Sequence, residues 1–166
     1  MATGTMVSVE EYLKTSYSPD CDYVDGRLVE RNVGEWDRSR LQAALTSYFY
    51  TREKQSGLLV ATEQRVQVTA SRFRVPDVCL VNAPTAGHQI LYSPPFLCIE
   101  ILSKDDRVVA MQEKIDDYLN FGVKCVWVID PQTRKAHIYH PTGIAEAKDG
   151  VLVTHDPDIR ISLHEI

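Results

Sequence analysis

The sequence predicts a single α/β domain, a mixed β-sheet with helices packed on its faces. Three observations carry that reading. A strand–helix–strand unit runs from Phe96 to Ile129, and parallel strands need such a helical crossover. Hairpin and meander signals elsewhere add antiparallel strands. A chain of 166 residues, 44% hydrophobic and 25% charged, has the length and composition of one globular domain, residues 1–166 with a core at about 8–141. Such a domain buries ~70% of its unfolded surface and needs neither disulfides nor metal to fold.

The elements follow in order. Ser8-Val9-Glu10-Glu11 reads as a capping box opening a short helix that ends before Ser18-Pro19. Tyr23-Val24, Asp25-Gly26 and Arg27-Leu28-Val29 read as a hairpin, because Asp-Gly suits a type I′ turn. From Trp36 to Gln55, Leu41, Leu45, Tyr48 and Phe49 keep helical spacing, and Gly57 is the stop. Three β-like segments follow, Leu58 to Thr69, Phe73 to Val81 and Phe96 to Leu102; the last is nearly all apolar, as in a strand covered on both faces. A helix from Asp106 to Phe121 places Val108, Met111, Gln112, Ile115, Tyr118 and Leu119 on one stripe, ended by Gly122. Ser103, Asp105 and Asp106 read as its cap. Cys125 to Ile129 is a second buried strand, and Lys135 to Tyr139 with Val151 to Thr154 adds a meander.

Several function classes drop out. No apolar run approaches the ~18 residues of a membrane span. The start, MATGTMVSVEEY, lacks the basic and apolar regions of a signal peptide, so the expected location is cytoplasmic. Cys21, Cys79, Cys98 and Cys125 show no zinc spacing and read as reduced core thiols. The net charge is −5, yet Arg27 to Arg74 holds nine Arg or Lys against five Asp or Glu. That basic half is either a phosphate-facing surface or a set of solvated faces.

Two acidic residues do not belong where they stand. Glu100 interrupts Leu97-Cys98-Ile99-Glu100-Ile101-Leu102, and Asp77 sits in Val75-Pro76-Asp77-Val78. Buried ionised carboxylates occur only when paired or metal-bound. Pro76 has no N–H for a ladder bond, so the strand breaks or lies at an edge beside Asp77. Two carboxylates on neighbouring strands suit a hard cation such as Mg²⁺, and equally suit ion pairs with Arg or Lys.

Arg74-Val75-Pro76-Asp77-Val78, Cys98-Ile99-Glu100-Ile101-Leu102-Ser103, Lys114 through Tyr118 to Gly122-Val123, and Val126-Trp127-Val128-Ile129-Asp130-Pro131 form one ordered pattern. It resembles a large bacterial family of "putative restriction endonucleases" within the PD-(D/E)XK nuclease superfamily. Asp22-Tyr23-Val24-Asp25-Gly26-Arg27-Leu28-Val29-Glu30 is similar to that family's N-terminal signature, and the likeness spans about 8 to 141. The resemblance implies a restriction-endonuclease-like fold and a site using Mg²⁺ (or Mn²⁺). It assigns Asp77 as the metal-bridging aspartate, Glu100 as second ligand and the Ile101 carbonyl as third. Leu102 stands where the superfamily has its lysine; the resemblance moves that role to Lys114. At ~100° per residue Lys114 lies about 100° from the stripe's centre, at the edge of the buried face. Lys114 is thus either the displaced lysine or an exposed helix lysine, with Lys104 in the preceding loop as second candidate. Glu63 and Asp22 either complete the acidic cluster or are solvated.

The implied activity is Mg²⁺-dependent hydrolysis of DNA phosphodiesters, with Asp77, Glu100 and Lys114 catalytic. Arg38, Arg40 and Arg52 on the first long helix are the candidate DNA contacts. One site per chain cuts both strands of a duplex at once only as a dimer, so a homodimer is expected. The competing reading is a catalytically degenerate member of the same fold that binds DNA or a protein, favoured by the missing motif lysine.

Overall fold

The computed structural model describes residues 5–83 and 89–166. Helix α1 (Val9–Lys14) starts where the capping box places it, with Ser8 Oγ accepting from the Glu11 N–H at 3.1 Å. Strands β1 (Asp22–Val24) and β2 (Arg27–Val29) form the hairpin. Asp25 and Gly26 both have positive φ, 48° and 90°, as a type I′ turn requires. Helix α2 (Trp36–Tyr50) buries Leu41, Leu45 and Phe49. It is shorter than its apolar spacing predicts. The chain breaks at Thr51–Arg52, and a separate turn, α3 (Glu53–Ser56), runs into Gly57 at φ 72°.

Each of the first two predicted β segments divides. Leu58 to Thr69 becomes β3 (Leu58–Thr62) and β4 (Val66–Thr69), which join different sheets. Glu63, at φ 51°, turns the corner between them. It is therefore a turn residue and not the strand residue that the sequence predicts. Phe73 to Val81 becomes β5 (Arg72–Arg74) and β6 (Val78–Asn82), interrupted at Val75-Pro76-Asp77, the break that Pro76 requires.

The remaining elements are β7 (Leu97–Ile101), α4 (Val108–Phe121), β8 (Cys125–Ile129), β9 (Ala136–His140), β10 (Gly143–Ala147), β11 (Val151–Thr154) and β12 (Ile159–Ser162). Strands β7 and β8 are parallel with α4 as their crossover. The six-stranded sheet runs β10-β9-β8-β7-β6-β3, and a four-stranded sheet runs β2-β1-β5-β4. Alternation along β7 feeds two cores. Leu97, Ile99 and Ile101 meet α2 and the β11–β12 hairpin, while Cys98 packs with Ile115 and Tyr118 of α4. The two runs predicted as a meander part company: β9 pairs with β10, which the sequence reading lacks, whereas β11 pairs with β12 in a two-stranded sheet of its own.

Two details of α4 depart from the sequence pattern. Val108 and Val109 are 85% and 82% exposed; the first turn projects past the sheet, so the buried stripe begins only at Met111. The predicted cap lies one turn early. Asp106 accepts from the Ser103 N–H and Ser103 Oγ from the Asp105 N–H, whereas the residue at the helix start is Arg107, without a side-chain cap.

The overhanging first turn of α4 has a measurable consequence. Ile115→Ala should cost about 2–5 kcal/mol in urea unfolding, as a filled core site loses volume. Val108→Ala, from the same predicted stripe, should stay within about 0.5 kcal/mol.

A candidate active site where two sheets meet

The site is assembled by the break at Pro76. The chain leaves the four-stranded sheet at Arg74 and enters the six-stranded one at Val78, which pairs with Ile99. Asp77 is thereby fixed beside the strand that carries Glu100. Its Oδ2 accepts the Ile101 N–H at 2.7 Å, so the side chain continues the ladder that Pro76 interrupts. Asp77 Oδ1 accepts from Arg31 at 2.7 Å and also from Arg38. The Asp77 carbonyl accepts from Gln42 at 3.0 Å. Asp77 is fully buried.

Glu100 is 3% exposed and takes its partners from α4. Lys114 and Tyr118 lie four apart, hence on one helix face. Lys114 Nζ is 3.0 Å from Glu100 Oε1, and the Tyr118 hydroxyl donates to the same oxygen at 2.7 Å. Lys114 Nζ also donates to the Val75 carbonyl at 3.3 Å and lies 3.5 Å from Asp22 Oδ2. The side chain is buried, so the exposed-lysine alternative is excluded. Asp22 accepts the Val75 N–H at 2.9 Å and pairs with Arg74 at 3.3 Å. Arg74 reaches on to Asp117 at 2.7 Å.

The electrostatics follow from burial. Desolvation pushes Glu100 up from 4.5 to about 7, with Lys114 opposing and Asp77 and Asp22 adding to the rise. Burial by itself would discharge Lys114, but Asp22 and Glu100 hold its pKa above the ordinary value. Lys114 is therefore an ammonium at neutral pH while Glu100 titrates near it. Burial also keeps the Tyr118 phenol protonated, as its donation to Glu100 needs.

The structure thus brings Asp77, Glu100, Lys114 and Asp22 into one cluster. The Glu63 N–H donates to the Asp77 carbonyl at 3.3 Å, but its carboxylate reaches the cluster only through Arg31, at 3.8 Å. Lys104 lies apart, in a neighbouring recess with Trp36 and Pro131. The three arginines do not form a common face. Arg38 is 7% exposed and turned into the site, Arg52 lies over the Tyr48 ring at 3.7 Å, and Arg40 alone is free in solvent. Arg31, Arg74 and Tyr118 are members that the sequence reading lacks. The signal for Arg74 was present, since two buried carboxylates demand cations and Arg74 precedes the Pro76 break. Tyr118 reads only as a stripe residue, and Arg31 follows no pattern.

A cavity of about 110 Å³ opens onto the cluster, lined among others by Asp22, Arg31, Arg38, Glu100, Ile101 and Lys114. The donor set fits a hard divalent cation in kind, because Asp77, Glu100 and the Ile101 carbonyl offer only oxygens. Among the described residues, no three His, Cys, Asp or Glu side chains group to hold a metal alone. The carbonyl and water would have to complete the shell.

Glu100 makes stability depend on pH. Its folded pKa lies above its unfolded value, so the folded state binds the extra proton between pH 4.5 and about 7, and stability falls as pH rises through that window. Glu100→Gln, isosteric with the protonated acid, should match wild type near pH 4.5 and exceed it at pH 8 by on the order of 1–3 kcal/mol in denaturant titrations.

The family pattern described as "Uma2: Putative restriction endonuclease" matches residues 9–162. A crystal structure described as a putative nuclease belonging to DUF820, from Anabaena variabilis ATCC 29413, is similar with a TM-score of 0.82 at 20% identity over 96% of each chain. A structure described as a DrdV–DNA complex overlaps 76% of this chain and 10% of its own, with a TM-score of 0.46 and 16% identity. No curated protein matches. The fold is that of the Anabaena protein, a mixed sheet between helices, and the chain belongs to the Uma2 family, described as "Putative restriction endonuclease".

Proposed function

We propose that the protein is an endonuclease that hydrolyses DNA phosphodiester bonds with Mg²⁺ or Mn²⁺. The observation that carries this reading is the 3.0 Å contact between Lys114 and Glu100 inside the cavity, with Asp77 on the adjoining strand end. It reunites two carboxylates and a lysine although position 102 is Leu.

Asp77, Glu100 and the Ile101 carbonyl are the oxygens that would hold the cation. When bound, it would supply a water of lowered pKa and positive charge against the phosphate. Hydrolysis forms one P–O bond from water and breaks one P–O bond to a sugar oxygen, which takes up a proton. Glu100 and the Val75 carbonyl anchor the Lys114 ammonium, so a positive donor is fixed beside the cavity. An ammonium so held orients the attacking water and opposes the charge that grows on the phosphoryl oxygens. The Tyr118 hydroxyl, one turn along the same helix, also holds Glu100 in place.

A second reading has one observation behind it. Asp77 spends an oxygen on two guanidinium groups, as a non-cutting member that binds DNA or protein would leave it. Plasmid and oligonucleotide cleavage with and without Mg²⁺ separates the two.

The expected compartment is the cytoplasm, in keeping with four buried free thiols. No helix among the described residues is long and apolar enough to cross a membrane.

Lys114→Met should lower Mg²⁺-dependent plasmid cleavage by ~10²–10³, the usual loss for one such electrostatic contact, in protein shown folded by circular dichroism. Lys104→Met should cut at nearly the wild-type rate, and the reverse ranking would shift the role to Lys104. Paired cutting of both strands requires two sites, so light scattering at micromolar concentration should report about twice 18.8 kDa. A monomer with and without DNA would exclude the dimer.

A further inference from the structure

Arg38 stands where the cation of the proposed site would bind. Its Nη2 donates to Asp77 Oδ1 and its Nε donates to the Ile101 carbonyl at 3.2 Å. One guanidinium therefore spans two of the three oxygens assigned to a metal. Of those three oxygens Arg31 touches Asp77 Oδ1 alone, and its Nη1 makes no hydrogen bond, lying 3.8 Å from Glu63 Oε1. Asp77 is fully buried and absent from the cavity wall, whereas Arg31 and Arg38 line it. The two arginines thus screen the carboxylate from solvent.

The charge balance points the same way. Asp22, Asp77, Glu100 and Asp117 face Arg31, Arg38, Arg74 and Lys114, all with side chains at most 11% exposed. Four cations already answer four carboxylates. A divalent ion added to that set would leave a large uncompensated positive charge in a poorly solvated place. Displacing one cation relieves the excess. Arg38 is the residue whose departure frees both Asp77 Oδ1 and the Ile101 carbonyl. It projects from the first turn of α2 and lines the cavity, on a long side chain of the kind that can carry its charged head to water.

We propose that Arg38 is a resident cation of the metal position, a positioning residue whose guanidinium must swing out before Mg²⁺ or Mn²⁺ can bind. This rests on the metal-dependent reading of the site. It makes Arg38 a determinant of metal affinity rather than a DNA contact of the apo protein.

The test is Mn²⁺ binding by calorimetry to wild type, Arg38→Gln and Asp77→Asn, each checked for folding by its thermal melt. Arg38→Gln should bind Mn²⁺ on the order of tenfold more tightly than wild type, since one charge-assisted hydrogen bond no longer has to break, and Asp77→Asn should lose binding. A purely structural Arg38 would give the opposite result, a looser site with weaker binding. Wild type and Arg38→Gln binding equally, with Asp77→Asn silent, overturns the resident-cation role alone. Absence of binding in wild type and Arg38→Gln alike overturns it together with the metal-dependent reading. Should Arg38→Gln not fold, the wild-type Arg38 Nε–H signal serves. Mg²⁺ should expose that proton to rapid solvent exchange, and an unchanged signal at saturating Mg²⁺ overturns the proposal.

Discussion

Asp22, Asp77 and Glu100 are withdrawn from water at the junction of two sheets, and an ionised carboxylate so placed is tolerable only with a cation and donors in contact. That requirement organises what surrounds them. It draws Arg31 from the loop after β2, Arg38 from α2, Arg74 from β5 and Lys114 from α4. Elements far apart in sequence are held to one point by charge as well as by apolar packing. Asp77, Arg74 and Lys114 each meet two or more opposite charges, so the cluster specifies the docking of α2 and α4 more than it adds net stability.

The same demand explains the basic stretch from Arg27 to Arg74. Much of its charge is turned inward or tied up at once. Arg31, Arg38 and Arg74 serve the cluster, Arg65 pairs with Asp20 at 2.7 Å, and Arg72 bridges Asp25 and Asp117. Local charge along the chain therefore overstates the positive field that the surface offers to a polyanion. Attraction of DNA would depend on the few groups left facing solvent, with Arg40 among them.

Much of the architecture was legible because it rests on local chemistry. Asp25-Gly26, Ser8 and Gly122 state turns and ends in a few residues, and the apolar run around Ile99 states a covered strand. Glu100 and Asp77 announced themselves by sitting where charge is costly. What stayed hidden depends on the third dimension. The corner at Glu63 needs a non-glycine residue at positive φ, which no pattern reveals. Val108 keeps helical phase yet overhangs the sheet, since periodicity records direction and not how far a neighbour extends. Arg31 carries no periodic signal, because a long side chain reaches its partner from a loop. Lys114 at the stripe's edge was readable as to angle, but its burial came only with α4 docked against β4 and β8.

The Asp77 side chain completes a backbone ladder by taking the Ile101 N–H. A carboxylate is thus a structural part of the strand pairing, and its position is quantised by the pleat. A slip of β6 against β7 by one residue would move Asp77 away from this amide and put its charge on the wrong side of the strand. Correct register and a correctly built site are then one event, and hydrogen exchange at the Ile101 amide would report on both.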